Sequence, residues 1–310
     1  MKPFRFGVNV RTAGSYGEWV DKARKVEALG YAVLLVPDHL ANLFAPMLGL
    51  TAAALATTQL RVGPGVLNND FRHPVLLARE AATLDVLSGG RLELGLGAGH
   101  MQSEYDQAGL TFDPGATRVE RLAESVAVVK QLLEGEEVTF AGRHYRVTGH
   151  AIHPRPVQRP RPPIFIGGNA PRLLSVAARE ADIVGFTGIM FRRGAREVDL
   201  SDFRATVVDE RVQLVRETAG DRFEHLELNA LVQRVIVTDD RRKEAAALTG
   251  PVSRLTPDEI LASPYMLIGT VDQMVADLEA RRERWGLSYI MTHEMSMDAL
   301  APVVARLAGR

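Results

Sequence analysis

The chain has 310 residues, no cysteine and a formal net charge of −1. That excludes a disulfide framework and a thiolate metal site, and no global basic field points to nucleic acid or anionic lipid. The length admits two domains, or one barrel of about 250 residues carrying insertions. No apolar run approaches the ~20 residues of a membrane span, and the opening MKPFRFGVNV lacks the apolar core of a secretion signal. The expectation is a soluble, cytoplasmic protein without a nucleic-acid or membrane partner.

Residues 4–10 read as a first buried strand. Residues 16–29 have helical spacing (Trp19, Val20, Ala23, Val26) and stop at Gly30, a usual residue just past a helix end. Residues 32–36 are continuously apolar, as in a parallel strand buried on both faces, and run into Pro37-Asp38-His39. A second helix covers 46–56, a third strand 60–67, and a third helix 74–87 with proline in its first turn. Strand four covers 91–96 and leaves through Gly97-Ala98-Gly99 into His100. Helix four covers 118–133.

The rhythm then breaks. Residues 137–163 hold a hairpin-like piece (138–147) and a proline-rich crossing, HPRPVQRPRPP. This reads as an insertion of about 135–163, because strand five (164–167) follows at once. Gly167-Gly168-Asn169-Ala170 leads into helix five at 171–180, and strand six covers 183–186. A Gly/Arg-rich loop at 187–200 precedes a long helix at 202–219. Strand seven reads as 226–237, followed by a mobile-looking insertion of about 239–264. A helix at 271–285, strand eight at 288–292 and a helix at 299–307 complete the chain. Eight strands alternating with helices predict a parallel α/β protein, a single (β/α)8 TIM barrel over 1–310 in preference to an open doubly wound sheet.

In such a barrel the chemistry lies at the C-terminal ends of the strands. Those ends deliver Asn9 and Arg11, Asp38-His39, Asn68-Asn69 with Arg72-His73, Ala98-Gly99-His100 with Ser103-Glu104, Gly167-Gly168-Asn169, Thr187, and His293-Glu294. The Gly167-Gly168 turn opens a helix and so suits a phosphate, or is only a tight turn. Gly95-Leu-Gly97-Ala-Gly99 fails the G-x-G-x-x-G spacing; it implies only close backbone approach to a flat ligand. His39 is a candidate proton donor or cofactor contact, with a structural histidine as the competing reading, and His100 is weighed the same way. His73 reads as architectural, and His144, His150 and His153 as surface residues. No H-x-H pair ends strand one, so no metal is assigned, and no G-x-S-x-G elbow supports serine hydrolysis.

With those motifs in place, the chain resembles the bacterial luciferase-like superfamily, and within it the deazaflavin (coenzyme F420)-dependent oxidoreductases. The resemblance rests on FGVNV, VPDHL, GVLNNDFRHPVLLAREAATLDVLSGGRLELGLGAG, HPRPVQRPRPPIFIGG and IGTVDQMVADLEARRERWGLSYI. It implies a luciferase-like barrel binding coenzyme F420, with FMN as the alternative cofactor of a monooxygenase or of a flavin-binding protein without turnover. His39 matches the family's proton donor. Asp38, Asn68, Ala98, Gly99, Ser103, Gly167, Gly168 and Asn169 would line the cofactor, and a cis peptide would fall at Gly65-Val66. Asn9, His100 and His293 would face a small-molecule substrate, in a homodimer. Some relatives carry glutamate where His100 stands and near Ala13 or Gly14, so sugar-phosphate oxidation does not carry over.

Overall fold

A computed structural model of the protein describes residues 1–189, 200–249 and 255–310. In chain order the first half contains β1 (Arg5–Asn9), α1 (Tyr16–Ala28), β2 (Val33–Val36), α2 (Pro46–Ala56), β3 (Arg61–Pro64), β4 (Leu67–Asn68) and α3 (Pro74–Leu87). There follow β5 (Leu94–Gly97), α4 (Gln102–Ala108), α5 (Gly115–Glu134), β6 (Val138–Ala141), β7 (Arg146–His150), β8 (Ile164–Gly167) and α6 (Pro171–Glu180). The remainder comprises β9 (Ile183–Phe186), α7 (Ala205–Ala219), β10 (Glu227–Val232), β11 (Arg234–Val237), α8 (Arg241–Ala247) and α9 (Pro257–Ala262). It ends with β12 (Met266–Gly269), α10 (Val271–Trp285), β13 (Leu287–His293) and α11 (Met297–Leu307).

The principal sheet is parallel, in the order β3-β2-β1-β13-β10-β9-β8-β5-β4. Its two ends are halves of one strand: β3 pairs with β2, and β4 pairs with β5. Between the halves the Gly65-Val66 peptide is cis. A bridge from Val62 to Leu92 closes the ring, so the nine strands form the eight staves of a barrel. The seam between β3 and β5 is unusually close. A Cβ on Gly63 would lie 2.4 Å from the Glu93 carbonyl oxygen, and one on Gly95 would lie 2.1 Å from that of Pro64. Only glycine fits there.

The strands are apolar on both faces because each is buried on both. Val33, Leu35, Phe165, Ile183, Tyr289 and Met291 fill the barrel interior. The other strand faces pack under helices whose apolar residues recur at helical spacing, as Trp19, Val20, Ala23 and Val26 do on α1. Ser15 caps α1 by accepting from the Glu18 N–H at 3.2 Å. At the strands' N-terminal ends, Glu93 is buried between Arg5 and Arg61. Its Oε1 accepts from Arg61 Nε at 2.7 Å and is paired with Arg5 Nη1. Arg5 also donates to Glu227 at 2.7 and 2.6 Å and lies 4.0 Å over the Tyr289 ring.

Three expectations are corrected. Strand seven ends in the barrel at Val232; the chain then leaves, and β11 pairs with β12, which the sequence did not suggest. The β-branched run of 235–237 continues the apolar pattern, so periodicity conceals the departure. The region read as mobile carries two capped helices. Asp240 accepts from the Lys243 N–H, and Thr256 and Glu259 form a capping box. Its residues 250–254, and most of the loop read at 187–200, lie outside the described residues. Third, His144 is half-buried, because Glu124 accepts from the backbone N–H groups of Arg143, His144 and Tyr145 at 2.8–3.1 Å and clamps the β6–β7 hairpin to α5. His73 is architectural as expected: it caps α3, its Nδ1 accepting from the Val75 N–H at 3.3 Å.

Candidate active site

The parallel register brings the strand ends to one level: Asn9 stands beside His293 on one side and Leu35 on the other. One residue pair past β2, Asp38 is buried and already committed. Its Oδ2 accepts from Arg72 Nη1 at 2.5 Å and from the Asn68 backbone N–H at 3.0 Å. Asp38 therefore ties the exit of strand two to that of strand three. His39, next along, points its Nδ1 at Glu104 Oε1, 2.9 Å away. The His100 ring meets it edge-on, with centroids 5.2 Å apart and planes at 85°.

Strand three adds Asn68, whose Oδ1 accepts from the Asp70 N–H at 3.1 Å and stands 3.0 Å from the Tyr105 hydroxyl. Asn9 differs from both. It is buried, and its Oδ1 has no hydrogen-bond partner among the described residues. It lies where a Cβ on Gly65 would be, 2.7 Å from that position. A buried acceptor left open is costly unless something supplies a donor.

The glycine-rich exit of strand four admits close packing of the protein. A Cβ on Gly97 would meet Val66 at 2.7 Å, and one on Gly99 would meet the Tyr105 hydroxyl at 2.1 Å. Gly99 also has φ +73°, a conformation that favours glycine. The packing of β4 and α4 thus already requires glycine at both positions. Arg118 fixes the exit from below, donating to the Ala98 and Gly99 carbonyls at 3.1 and 3.3 Å. Ser103 is on the exposed side of α4.

Gly167 and Gly168 are half-buried at the exit of β8, with Gly168 N–H bonded to the Gly185 carbonyl at 3.0 Å. Asn169 follows, buried, and its amide is spent on the neighbouring exit. It donates to Thr187 Oγ1 and the Ile189 carbonyl at 2.8 and 2.9 Å and accepts from the Thr187 N–H at 3.2 Å. No side chain caps α6. His293 Nε2 lies 3.1 Å from Gln233 Oε1, and Gln233 donates onward to the Thr187 carbonyl at 2.9 Å.

The surroundings of His100 and His293 both disfavour the charged imidazolium. Desolvation first, then His39 and Arg118, push His100 down to about 4, although its ring is exposed at the rim. Burial, then Arg11, lowers His293. Beside the exit of β2 a cleft of about 500 Å³ opens, walled by His39, Leu40, Leu43, Phe44, Phe71 and Leu110. Among the described residues no cluster of three His, Asp or Glu side chains is placed to hold a metal.

The structure gathers Asn9, Asp38, His39, the Gly65-Val66 peptide, Asn68, Ala98, Gly99, His100 and His293 at one end of the barrel. Sequence reasoning placed Arg72 and Glu104 at the strand ends without assigning them work, and missed Tyr105 and Arg118. All but Arg72 lie on or beyond α4, which has seven residues. That is too short for helical periodicity to signal.

A closed parallel barrel with polar side chains converging at its strand C-termini defines a (β/α)8 protein. The luciferase-like monooxygenase family model matches residues 1–289, and the chain belongs to that family. An F420-dependent glucose-6-phosphate dehydrogenase of Microbacterium testaceum is 33% identical over 192 residues, which cover 58% of this chain and 55% of that one. A second protein of that name, from Nakamurella multipartita, is 31% identical over 255 residues, covering 78% and 70%. The match to the first thus spans about half of the relative's length. In fold the chain is similar to a coenzyme F420-dependent tetrahydromethanopterin reductase from Methanopyrus kandleri. That likeness has a TM-score of 0.76 at 19% identity and covers 99% and 98% of the two chains.

Proposed function

We propose that this chain is an oxidoreductase using coenzyme F420, moving a hydride between the deazaflavin and a carbon of a small organic substrate. The observation that carries this reading is the position of His39. It stands at the barrel mouth and also walls the adjoining cleft, so one ring can serve both a cofactor in the mouth and a substrate in the cleft. The residues fit a flat heterocycle bearing amide N–H groups, because the open acceptor of Asn9 is buried at that mouth. Asn9, the Gly65-Val66 peptide, Asn68, Ala98 and Gly99 would hold the ring, and the Gly167-Gly168 turn the phosphate of its tail.

When bound, a deazaflavin supplies a carbon, C5, able to take up or give a hydride. The chain's own residues do the rest. The Asp38 tie fixes the two strand exits that carry His39 and Asn68, and so fixes their spacing. His39 takes the proton from a substrate hydroxyl as its carbon is oxidised, or returns it in the reverse direction. The apolar side chains of the cleft, Leu43 and Phe44 among them, would pack against the carbon skeleton of the substrate.

The same reading includes a cytoplasmic homodimer joined through α2. That helix is apolar on every side: Leu50, Ala53 and Ala54 are buried inward while Leu48 and Leu55 are exposed, with Leu76 and Leu87 of α3 exposed nearby. The test of the activity is a parallel titration of the purified protein with coenzyme F420 and with FMN, followed by fluorescence quenching and melting temperature. Tight FMN binding with no deazaflavin response would overturn the proposal. With a deazaflavin-responsive substrate in hand, His39→Ala abolishes turnover while cofactor binding persists.

A further inference from the structure

The least expected contact in the site is the one between His39 and Glu104, 65 positions apart in sequence. The Glu104 side chain is only 9% exposed, and His39 is its one side-chain hydrogen-bond partner among the described residues. Such a carboxylate is costly to bury unless a donor meets it. It is also rigidly placed. The neighbouring Tyr105 is fully buried, with its hydroxyl 3.0 Å from both Asn68 and Asp70. The Tyr105 ring packs against Phe71 and Phe112 at 5.4 and 4.9 Å between centroids. Helix α4 is thereby pinned to the exit of strand three, and Glu104 with it.

We infer that Glu104 is a positioning residue for His39: it accepts the Nδ1 proton, fixes the ring orientation and tautomer, and leaves Nε2 as the atom that exchanges a proton with substrate. The geometry is that of a carboxylate orienting an imidazole, in which the carboxylate itself never reacts. In the oxidising direction the substrate O–H and C–H bonds break and the C=O bond forms. The proton goes to Nε2, the resulting imidazolium is balanced by Glu104, and the hydride would go to an oxidised deazaflavin, the acceptor in the proposed function. In the reducing direction the same proton returns to oxygen. His100, edge-on to His39 and held neutral, adds no competing charge.

This inference deepens the proposed oxidoreductase, and its test separates the two. The ring nitrogens of ¹⁵N-histidine-labelled protein are observed without cofactor in the wild type, Glu104→Gln and Glu104→Asp. The wild type is expected to show His39 as the Nδ1–H tautomer. Glu104→Gln is expected to lose that preference, and Glu104→Asp to retain part of it. An unchanged His39 tautomer in Glu104→Gln overturns the inference whether or not any deazaflavin binds. In turnover, Glu104→Gln is expected to lower kcat by roughly 10- to 100-fold with KM and deazaflavin affinity unchanged, and Glu104→Asp to recover part of the loss. Loss of cofactor affinity with kcat intact in the bound fraction would make Glu104 a structural prop and also overturn it. A wild type that binds FMN alone refutes the F420 reading and leaves the tautomer result standing.

Discussion

Replacing Glu93 with glutamine tests how the closed end of the barrel is held. Glu93 is 2% exposed and lies between Arg5 and Arg61, which are 23% and 28% exposed. All three stand at or just before the N-terminal starts of β5, β1 and β3. Removing one member of a buried pair costs about 3–5 kcal/mol, because the partners keep their charge and lose its match. Here the lower end applies. Arg5 retains Glu227 at 2.6 Å, and both guanidinium groups reach some solvent. An unfolding entropy of roughly 2.1 cal/mol/K per residue gives about 650 cal/mol/K for this chain. A loss of about 3 kcal/mol then lowers the melting temperature by roughly 4–5 °C. The two arginines overcome the burial penalty and hold Glu93 below the ordinary carboxylate range. Its contribution is therefore complete above pH 4.5 and is lost as pH falls through the depressed folded value. Scanning fluorimetry from pH 3 to 8 reads both effects. A Glu93→Gln protein that melts within about 1 °C of wild type at pH 7, with the same acid profile, would show that the cluster carries no such load. Cofactor affinity per folded molecule should not change, since the site is at the other end.

Three further substitutions probe strand four and the helix after it. Gly95→Ala should destabilise by roughly 3 kcal/mol, because its Cβ would press on the Pro64 carbonyl, a backbone atom that cannot move aside. Gly109→Ala, with φ +69° but open space around it, should cost only about 1 kcal/mol in the same melts. For His100 the folded pKa of about 4 lies below the ordinary 6.5, so the unfolded chain binds more protons between those values. Stability should therefore rise with pH across that window, and His100→Gln should flatten the rise. The ring is exposed at the rim, so the slope is shallow; a slope of opposite sign would refute the assignment.

How far the site could be read from sequence depended on what each residue does. The exits of strands one to four were legible because apolar runs end at or near Asn9, Asp38, Asn68 and Gly99, and that break is a local signal. The network behind them was not. Arg118 serves Ala98 and Gly99 from a helix 20 positions on, and Glu104 meets His39 across 65. Such pairings are set by barrel closure and leave no periodicity. Asn169 shows the opposite case. Its place after Gly167-Gly168 suggests a ligand contact, and nothing local signals that its amide also ties down the loop after β9. Strand seven was misjudged because apolar alternation is the same whether a strand's neighbour lies in the barrel or outside it.

The close seam between strands three and four divides the run LGLGAGH into two kinds of text. Gly63, Gly95 and Gly97 interlock from both sides, so a one-residue slip would drive Leu94 or Leu96 into the Pro64 carbonyl. The pattern works as a register key, admitting one alignment of the closing staves. Beyond Gly99 the seam ends, and His100 is the first position outside it. New specificities can therefore be sought at residue 100, while the letters before it stay as they are and Glu104, Tyr105 and Arg118 keep holding the exit.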